Sequence, residues 1–210
     1  MVAWRGSKRV RSSRAPLSFI DPCLPVLAPK APSGDLWIHE IKHDGYRLQI
    51  HVRGERVRLY TMTGVDWTER YPWIVQDVAR LGIRSAIIDA EAVCCGDDGV
   101  TDFNRLHDAS VFAYAFDAMQ IDGDDLRPLP VEDRKARLAK ALKRAKPGIR
   151  YNEAVEGDGP TIYAHACKLG LEGIVSKRVG SRYRSGKSKA WVKTKNPKSP
   201  AYMRIVEGGF

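Results

Sequence analysis

The stretch Glu40-Ile41-Lys42-His43-Asp44-Gly45-Tyr46-Arg47 decides how the chain is read, because it sets one lysine between an apolar strand and a tight turn. Residues 36–41 (Leu-Trp-Ile-His-Glu-Ile) have the composition of a short strand. Asp44-Gly45 is a hairpin signal, since glycine supplies the positive φ that such turns need. Tyr46, Leu48, Ile50 and Val52 then alternate with polar residues, the period of a half-buried strand. A lysine at the end of the first strand is held on a rigid element above whatever cleft the sheet lines, which makes Lys42 the candidate nucleophile.

The same residues spell H-E-x-x-H from His39 to His43, a zinc-protease pattern that works only on a helix, where the two histidines stack on one face. Here the flanks read as strand, and four strand residues separate the histidines by roughly 13 Å. Two imidazoles that far apart cannot share an ion, so the zinc reading is set aside.

Outward from this stretch, Pro16, Pro22, Pro25, Pro29 and Pro32 make residues 16–34 an extended, irregular lead-in. Arg5, Lys8, Arg9, Arg11 and Arg14, with no acid among them and no apolar run, read as a flexible basic arm over residues 1–18. Downstream, Arg56–Thr61 predicts a further strand, and Ile74, Val78 and Leu81 a helix closed by Gly82. Residues 84–94 alternate so that Ile87, Asp89, Glu91 and Val93 share one face. A turn is expected at 97–99, a short helix over 103–109, and an apolar strand over 111–119 that ends in Phe116-Asp117. Leu138, Ala141, Leu142 and Ala145 predict an amphipathic helix over 132–146, with Lys135, Lys140, Lys143 and Arg144 on its solvated face. A helix over 159–169 and strands over 173–178 and 190–195 complete the pattern. Strands outnumber helices and cluster in hairpins, which predicts an α+β fold with antiparallel sheets.

The 35 Lys and Arg against 25 Asp and Glu give a formal charge of +10. That balance favours a polyanionic partner, although charge alone does not separate a DNA-binding protein from one that touches ribosomes. The four cysteines form no CxxC pair, which speaks against a zinc knuckle or a disulfide scaffold and for a reducing cytoplasm. No apolar run approaches the roughly 18 residues a membrane helix needs.

Lys42, Asp44, Gly45 and Arg47 meet the pattern K-x-D-G-x-R, and more follows in order: Asp89-Ala90-Glu91, Phe116-Asp117, Glu172-Gly173-Ile174-Val175-Ser176-Lys177 and Lys193-Thr194-Lys195. From about Phe19 to Pro197 the chain resembles the nucleotidyltransferase (adenylation) domain of ATP-dependent DNA ligases, and among them the bacterial end-joining type. The resemblance includes Pro22-Cys23-Leu24-Pro25 and Tyr183-Arg184-Ser185-Gly186. It implies two antiparallel sheets flanked by helices around an ATP cleft, with this domain over residues 19–198 and a short tail over 199–210. Residues 196–210 are too few for the OB-fold domain that follows in the family, so the expectation is a catalytic core without it.

The resemblance also assigns roles. Lys42 is expected to take AMP from ATP as a phosphoramidate. Lys177, Lys193 and Lys195 are expected to crowd it with positive charge, which favours a neutral amine, and to stabilise the phosphoryl oxygens. Glu40 and the backbone of Ile41 are assigned to the adenine edge, Phe116 to stacking on the base, and Arg47 and Glu91 to the ribose. Glu172 is assigned to a divalent metal, Mg2+ or Mn2+. Arg182, Arg184, Lys187 and Lys189 lie in an acid-free run and are the candidate DNA contacts.

Two positions depart from the family pattern: Met62 stands where an arginine is usual, removing one cation, and Ala90 where glycine is usual. The implied function is joining of nicked or broken double-stranded DNA in repair, in a bacterial, nucleoid-associated cytoplasmic setting with end-joining proteins as possible partners. A weakly active accessory module that binds nicks or ends, and an RNA ligase, are the alternatives.

Overall fold

The computed structural model describes residues 18–96, 99–107 and 110–206. In chain order these form strands β1 (Cys23–Leu27), β2 (Trp37–Ile41), β3 (Tyr46–Arg53) and β4 (Arg56–Thr61), then helix α1 (Pro72–Ala79) and strands β5 (Ser85–Val93), β6 (Phe112–Ile121) and β7 (Asp124–Asp125). Helix α2 (Val131–Ala141), strands β8 (Ile149–Tyr151) and β9 (Ala154–Glu156), and helix α3 (Gly159–Lys168) follow. Strands β10 (Gly173–Arg178) and β11 (Gly186–Lys195) and helix α4 (Pro200–Val206) complete the order. The basic arm up to residue 17, two positions of the expected 97–99 turn and residues 108–109 lie outside the described residues. No described helix is long and apolar enough to cross a membrane.

The two strands flanking Lys42 are not a hairpin. β2 belongs to a five-stranded sheet of order β1-β11-β10-β2-β9, whereas β3 belongs to a second sheet of order β4-β3-β5-β6-β7, with β8 on β6. Residues 42–45 therefore carry the chain from one sheet to the other. Gly45 is required for a different reason than the sequence suggests. It does not use a left-handed backbone; a Cβ there would stand 2.0 Å from the Ala92 carbonyl oxygen. The chain returns to the first sheet between β8 and β9. There Asn152 bonds both sides of the outward crossing, through Nδ2 to the Ile41 carbonyl at 3.3 Å and through Oδ1 to His43 Nε2 at 3.1 Å.

Both sheets are antiparallel except at one position each: β1 runs parallel to β11, and β8 parallel to β6. β1 lies within the lead-in expected to be irregular. Pro25 is accommodated there because β1 is an edge strand and its register shifts between Pro25 and Val26.

The larger core forms where the second sheet packs on α1 and α2, with Leu48, Ile50, Ile74, Val78, Ile88 and Leu138 fully buried. A smaller one, Ile87, Met119, Tyr183 and Trp191 with Cys23, joins the facing surfaces of the sheets. α2 ends at Ala141 rather than continuing to residue 146: Leu142 caps it, and residues 142–144 turn ahead of Pro147. β6 runs to Ile121, so Phe116-Asp117 lies mid-strand, not at a strand end. Its register against β5 passes from Ala90↔Ala115 to Asp89↔Asp117 and from Ile88↔Ala118 to Ile87↔Gln120. Phe116 and Met119 are the extra residues of two bulges, devices that re-aim side chains. Residues 200–206 of the expected tail fold as α4, and 207–210 lie outside the described residues.

Candidate active site

A cavity of about 630 Å3 opens between the sheets, lined by Glu40, Ile41, Lys42, Arg47, Glu91, Phe116, Lys177, Lys187 and Lys193 among the residues named from sequence. A wider cavity of about 1190 Å3 adjoins it and is lined by Lys42, Glu91, Glu172 and Lys195 together with Asp44 and Arg204. Lys42 and Glu91 face both. Arg182, Arg184 and Lys189 line neither.

Lys42 follows β2 directly, and its amide extends the β2–β10 ladder by bonding the Gly173 carbonyl at 3.0 Å. Its side chain does not stand among cations alone. The Nζ donates to Glu172 Oε2 at 2.6 Å, and Glu172 Oε1 pairs with Lys195 at 3.2 Å. Lys193 lies on the same face of β11 as Lys195, and burial, followed by the charges of Lys42 and Lys195, pushes its pKa down. Lys177 is not beside Lys42: it pairs with Glu40 at 2.9 Å and donates to the Phe116 carbonyl at 2.9 Å.

Glu40 is buried and meets two lysines, Lys177 on Oε2 and Lys135 on Oε1, the latter at 2.7 Å. Lys135 is thus a correction to the sequence reading, which put it on a solvated face. Val131, Arg134, Lys135 and Leu138, spaced i, i+3, i+4 and i+7, are the buried face of α2. Lys140, Lys143 and Arg144 are exposed as expected. Beside Lys135, Arg134 forks onto Asp117 at 2.8 and 2.7 Å with both side chains fully buried.

Arg47 is bound rather than free. Its guanidinium forks onto Asp89 at 2.9 and 2.6 Å and donates to the Cys23 carbonyl at 2.8 Å. Burial acts against its charge, but the Asp89 carboxylate outweighs burial and raises its pKa. Tyr183 donates to the same carboxylate at 2.7 Å and accepts from the Cys23 amide at 3.0 Å, so this cluster ties β1 to the second sheet. Glu91, two residues along β5, has its carboxyl pushed up to about 8 by burial, against the pull of Lys42 and Arg47. Phe116 meets Trp191 edge to face at 6.3 Å, with Arg47 and Lys177 at 5.3 and 5.0 Å from its ring.

The two histidines of the apparent zinc pattern have separate partners. His39 bonds Ser176 at 2.8 Å, and His43 stacks on Tyr114 at 4.0 Å with its pKa lowered to about 4 by burial. Glu172 is the carboxylate that could serve a divalent cation. Magnesium commonly takes one or two carboxylates and completes its shell with phosphate oxygens and water, which suits a buried carboxylate shared between two lysines. Sequence reasoning missed Lys135, Asn152, Trp191 and the pairing of Arg204 with Asp44. Asn152 and Trp191 carry no local signal; Lys135 could have been found from the i, i+3, i+4, i+7 stripe had charge not been equated with exposure.

Comparison with known proteins accords with this geometry. Residues 28–195 match the family model of the ATP dependent DNA ligase domain. Over 203 residues the chain is 37% identical to the multifunctional non-homologous end joining protein LigD of Pseudomonas aeruginosa, covering 92% of this chain and 24% of that protein. The LigD of Mycobacterium tuberculosis is 35% identical over 179 residues, 83% of this chain and 23% of its own length. The chain thus spans about a quarter of the length of these relatives. A solved mycobacterial DNA ligase D complexed with ATP and MES superposes with a TM-score of 0.74 at 31% identity, over 83% of this chain and 59% of that one. With its family model matched over residues 28–195, the chain belongs to the ATP-dependent DNA ligase domain family.

Proposed function

We propose that this chain is the adenylation core of an ATP-dependent DNA ligase, in which Lys42 accepts AMP and passes it to a DNA 5′-phosphate so that a nick can be joined. The observation that carries the proposal is the sharing of one buried carboxylate, Glu172, by Lys42 and Lys195 in one cavity, while Lys42 also lines the adjoining cleft beside Glu40 and Phe116. The Lys42 nitrogen forms a bond to the α-phosphorus of ATP, the bond from that phosphorus to the β-phosphate oxygen breaks, and pyrophosphate leaves; the amine proton goes to solvent or a neighbouring base.

Lys193 and Lys195, on one face of one strand, grip the phosphoryl oxygens, whose charge builds in the transition state. Glu40 and the Ile41 backbone meet the adenine edge, Phe116 stacks on the base, and Arg47 and Glu91 bound the ribose. Held by Glu172, Mg2+ or Mn2+ would neutralise phosphate charge. Arg182, Arg184, Lys187 and Lys189 bind the DNA backbone. Broken or nicked duplex DNA in bacterial end joining, with other end-joining proteins as partners, is the setting that the LigD likeness supports.

Purified protein incubated with α-labelled ATP and a divalent metal is expected to carry a covalent label that Lys42→Ala abolishes. Absence of label at every metal concentration overturns the enzyme reading and leaves a nick-binding accessory module. Nicked duplexes with DNA or RNA on either side of the nick then separate a DNA ligase from an RNA ligase.

A further inference from the structure

Lys135 lies outside every motif that led to the site, on a helix that lines neither cavity, yet its ammonium joins three segments that do line the cleft. It stands 2.7 Å from Glu40 Oε1, donates to the Asn152 carbonyl at 2.8 Å and reaches the Phe116 carbonyl at 3.5 Å. The Phe116 carbonyl belongs to the extra residue of a bulge. The Tyr151 ring caps the ammonium at 4.6 Å. Only 4% of the Lys135 side chain is exposed, so its burial has to be matched by these partners.

Glu40 shows what this arrangement leaves over. Both its oxygens are ion-paired, Oε1 with Lys135 and Oε2 with Lys177. A carboxylate oxygen has more than one lone pair, so a carboxylate held by one cation on each oxygen, in a residue that lines the cleft, keeps acceptor capacity for a ligand. Asn152, fixed by the same lysine, is anchored beside it to the Ile41 carbonyl.

We propose that Lys135 is a positioning residue for base selection: it locks the Glu40 carboxylate and the Asn152 segment so that the cleft presents acceptors to an exocyclic amino group. This rests on the adenylation reading above. Adenine offers a 6-amino donor to such an edge, whereas guanine carries a carbonyl at that position and sets acceptor against acceptor. Rejection of that kind depends on the carboxylate being held still, because a carboxylate free to turn away relieves the clash. Lys177 alone holds Oε2 from the opposite side and leaves that rotation open.

The test measures covalent labelling by ATP and GTP in the intact chain and in Lys135→Met, which keeps the stem and removes the charge. The expected result is a KM for ATP raised about tenfold with the saturating rate within about threefold, and an ATP-over-GTP preference reduced about tenfold. Tyr151→Leu removes the capping ring but no charge, and is expected to move the same ratio in the same direction by a smaller factor. It serves as the readout if Lys135→Met does not fold. A folded variant with unchanged nucleotide preference overturns the proposal, as does a loss of rate equal for both nucleotides. No label in the unsubstituted protein instead overturns the adenylation reading itself.

Discussion

The ammonium of Lys42 lies 2.6 Å from Glu172 Oε2, while the other oxygen of that carboxylate lies 3.2 Å from Lys195. One acid from the β10 side thus fixes the candidate nucleophile relative to Lys195. Glu172→Gln keeps the shape and removes the charge. It is expected to lower the adenylation rate by about 100-fold through loss of orientation, with little change in melting temperature, since Lys42 and Lys195 both reach water. Single-turnover labelling with ATP measures this.

Glu91 supplies a pH signature. Its folded carboxyl titrates at about 8 against an ordinary value of 4.5, and the cause is burial. A group raised on folding favours the native state below its unfolded value, and that contribution is lost as pH rises through the folded one. The melting temperature of the unsubstituted protein should therefore fall relative to Glu91→Gln between about pH 4.5 and 8. Parallel melting curves across that range refute the assignment.

Asp117 and Arg134 form a bidentate pair with no solvent access. Asp117→Ala leaves the guanidinium buried with only the Leu129 and Ser181 carbonyls. A loss of about 3–5 kcal/mol in urea denaturation is expected, since an uncompensated buried charge is the costliest product of such a truncation.

Gly45→Ala tests the crossing between sheets. The added Cβ would meet the backbone oxygen of Ala92 at 2.0 Å, and backbone yields far less readily than a side-chain tip. A destabilisation of about 1–3 kcal/mol is expected, together with loss of Lys42 labelling beyond what unfolding explains. Thermal melting and labelling on the same preparation separate the two.

Neutralising Arg182, Arg184, Lys187 and Lys189 together should weaken nicked-duplex binding and flatten its salt dependence. Each phosphate contact removed lowers the slope of log affinity against log salt by about 0.9. A slope unchanged by all four substitutions removes this run from the DNA interface.

Much of this was legible in the chain itself. The alternation of Ile87, Asp89 and Glu91 set one face of β5 toward the other sheet, and the spacing of Lys193 and Lys195 set both on one face of β11. What local pattern could not convey was partnership. Asp44-Gly45 has hairpin chemistry, but the strands it joins pair elsewhere, with β10 and β5, across distances in sequence that no window spans. Lys135 read as solvated because charge is usually exposed; its burial depends on Glu40, which lies far off in the chain. Helix α4 was hidden by Pro200, which stops a strand but also suits a first helical turn. Its Arg204 pairs with Asp44 and sits 4.3 Å over the Phe103 ring, so residues beyond the last motif become part of the cavity wall that Lys42 also lines.

The Asn152 contacts to Ile41 and His43 have a mechanical consequence. Among the described residues the chain passes between the sheets at residues 42–45 and again between β8 and β9, and these two passages are bonded to each other beside Lys42. Because one side chain holds both passages, loss of Asn152 would free them together, and Lys42 with them.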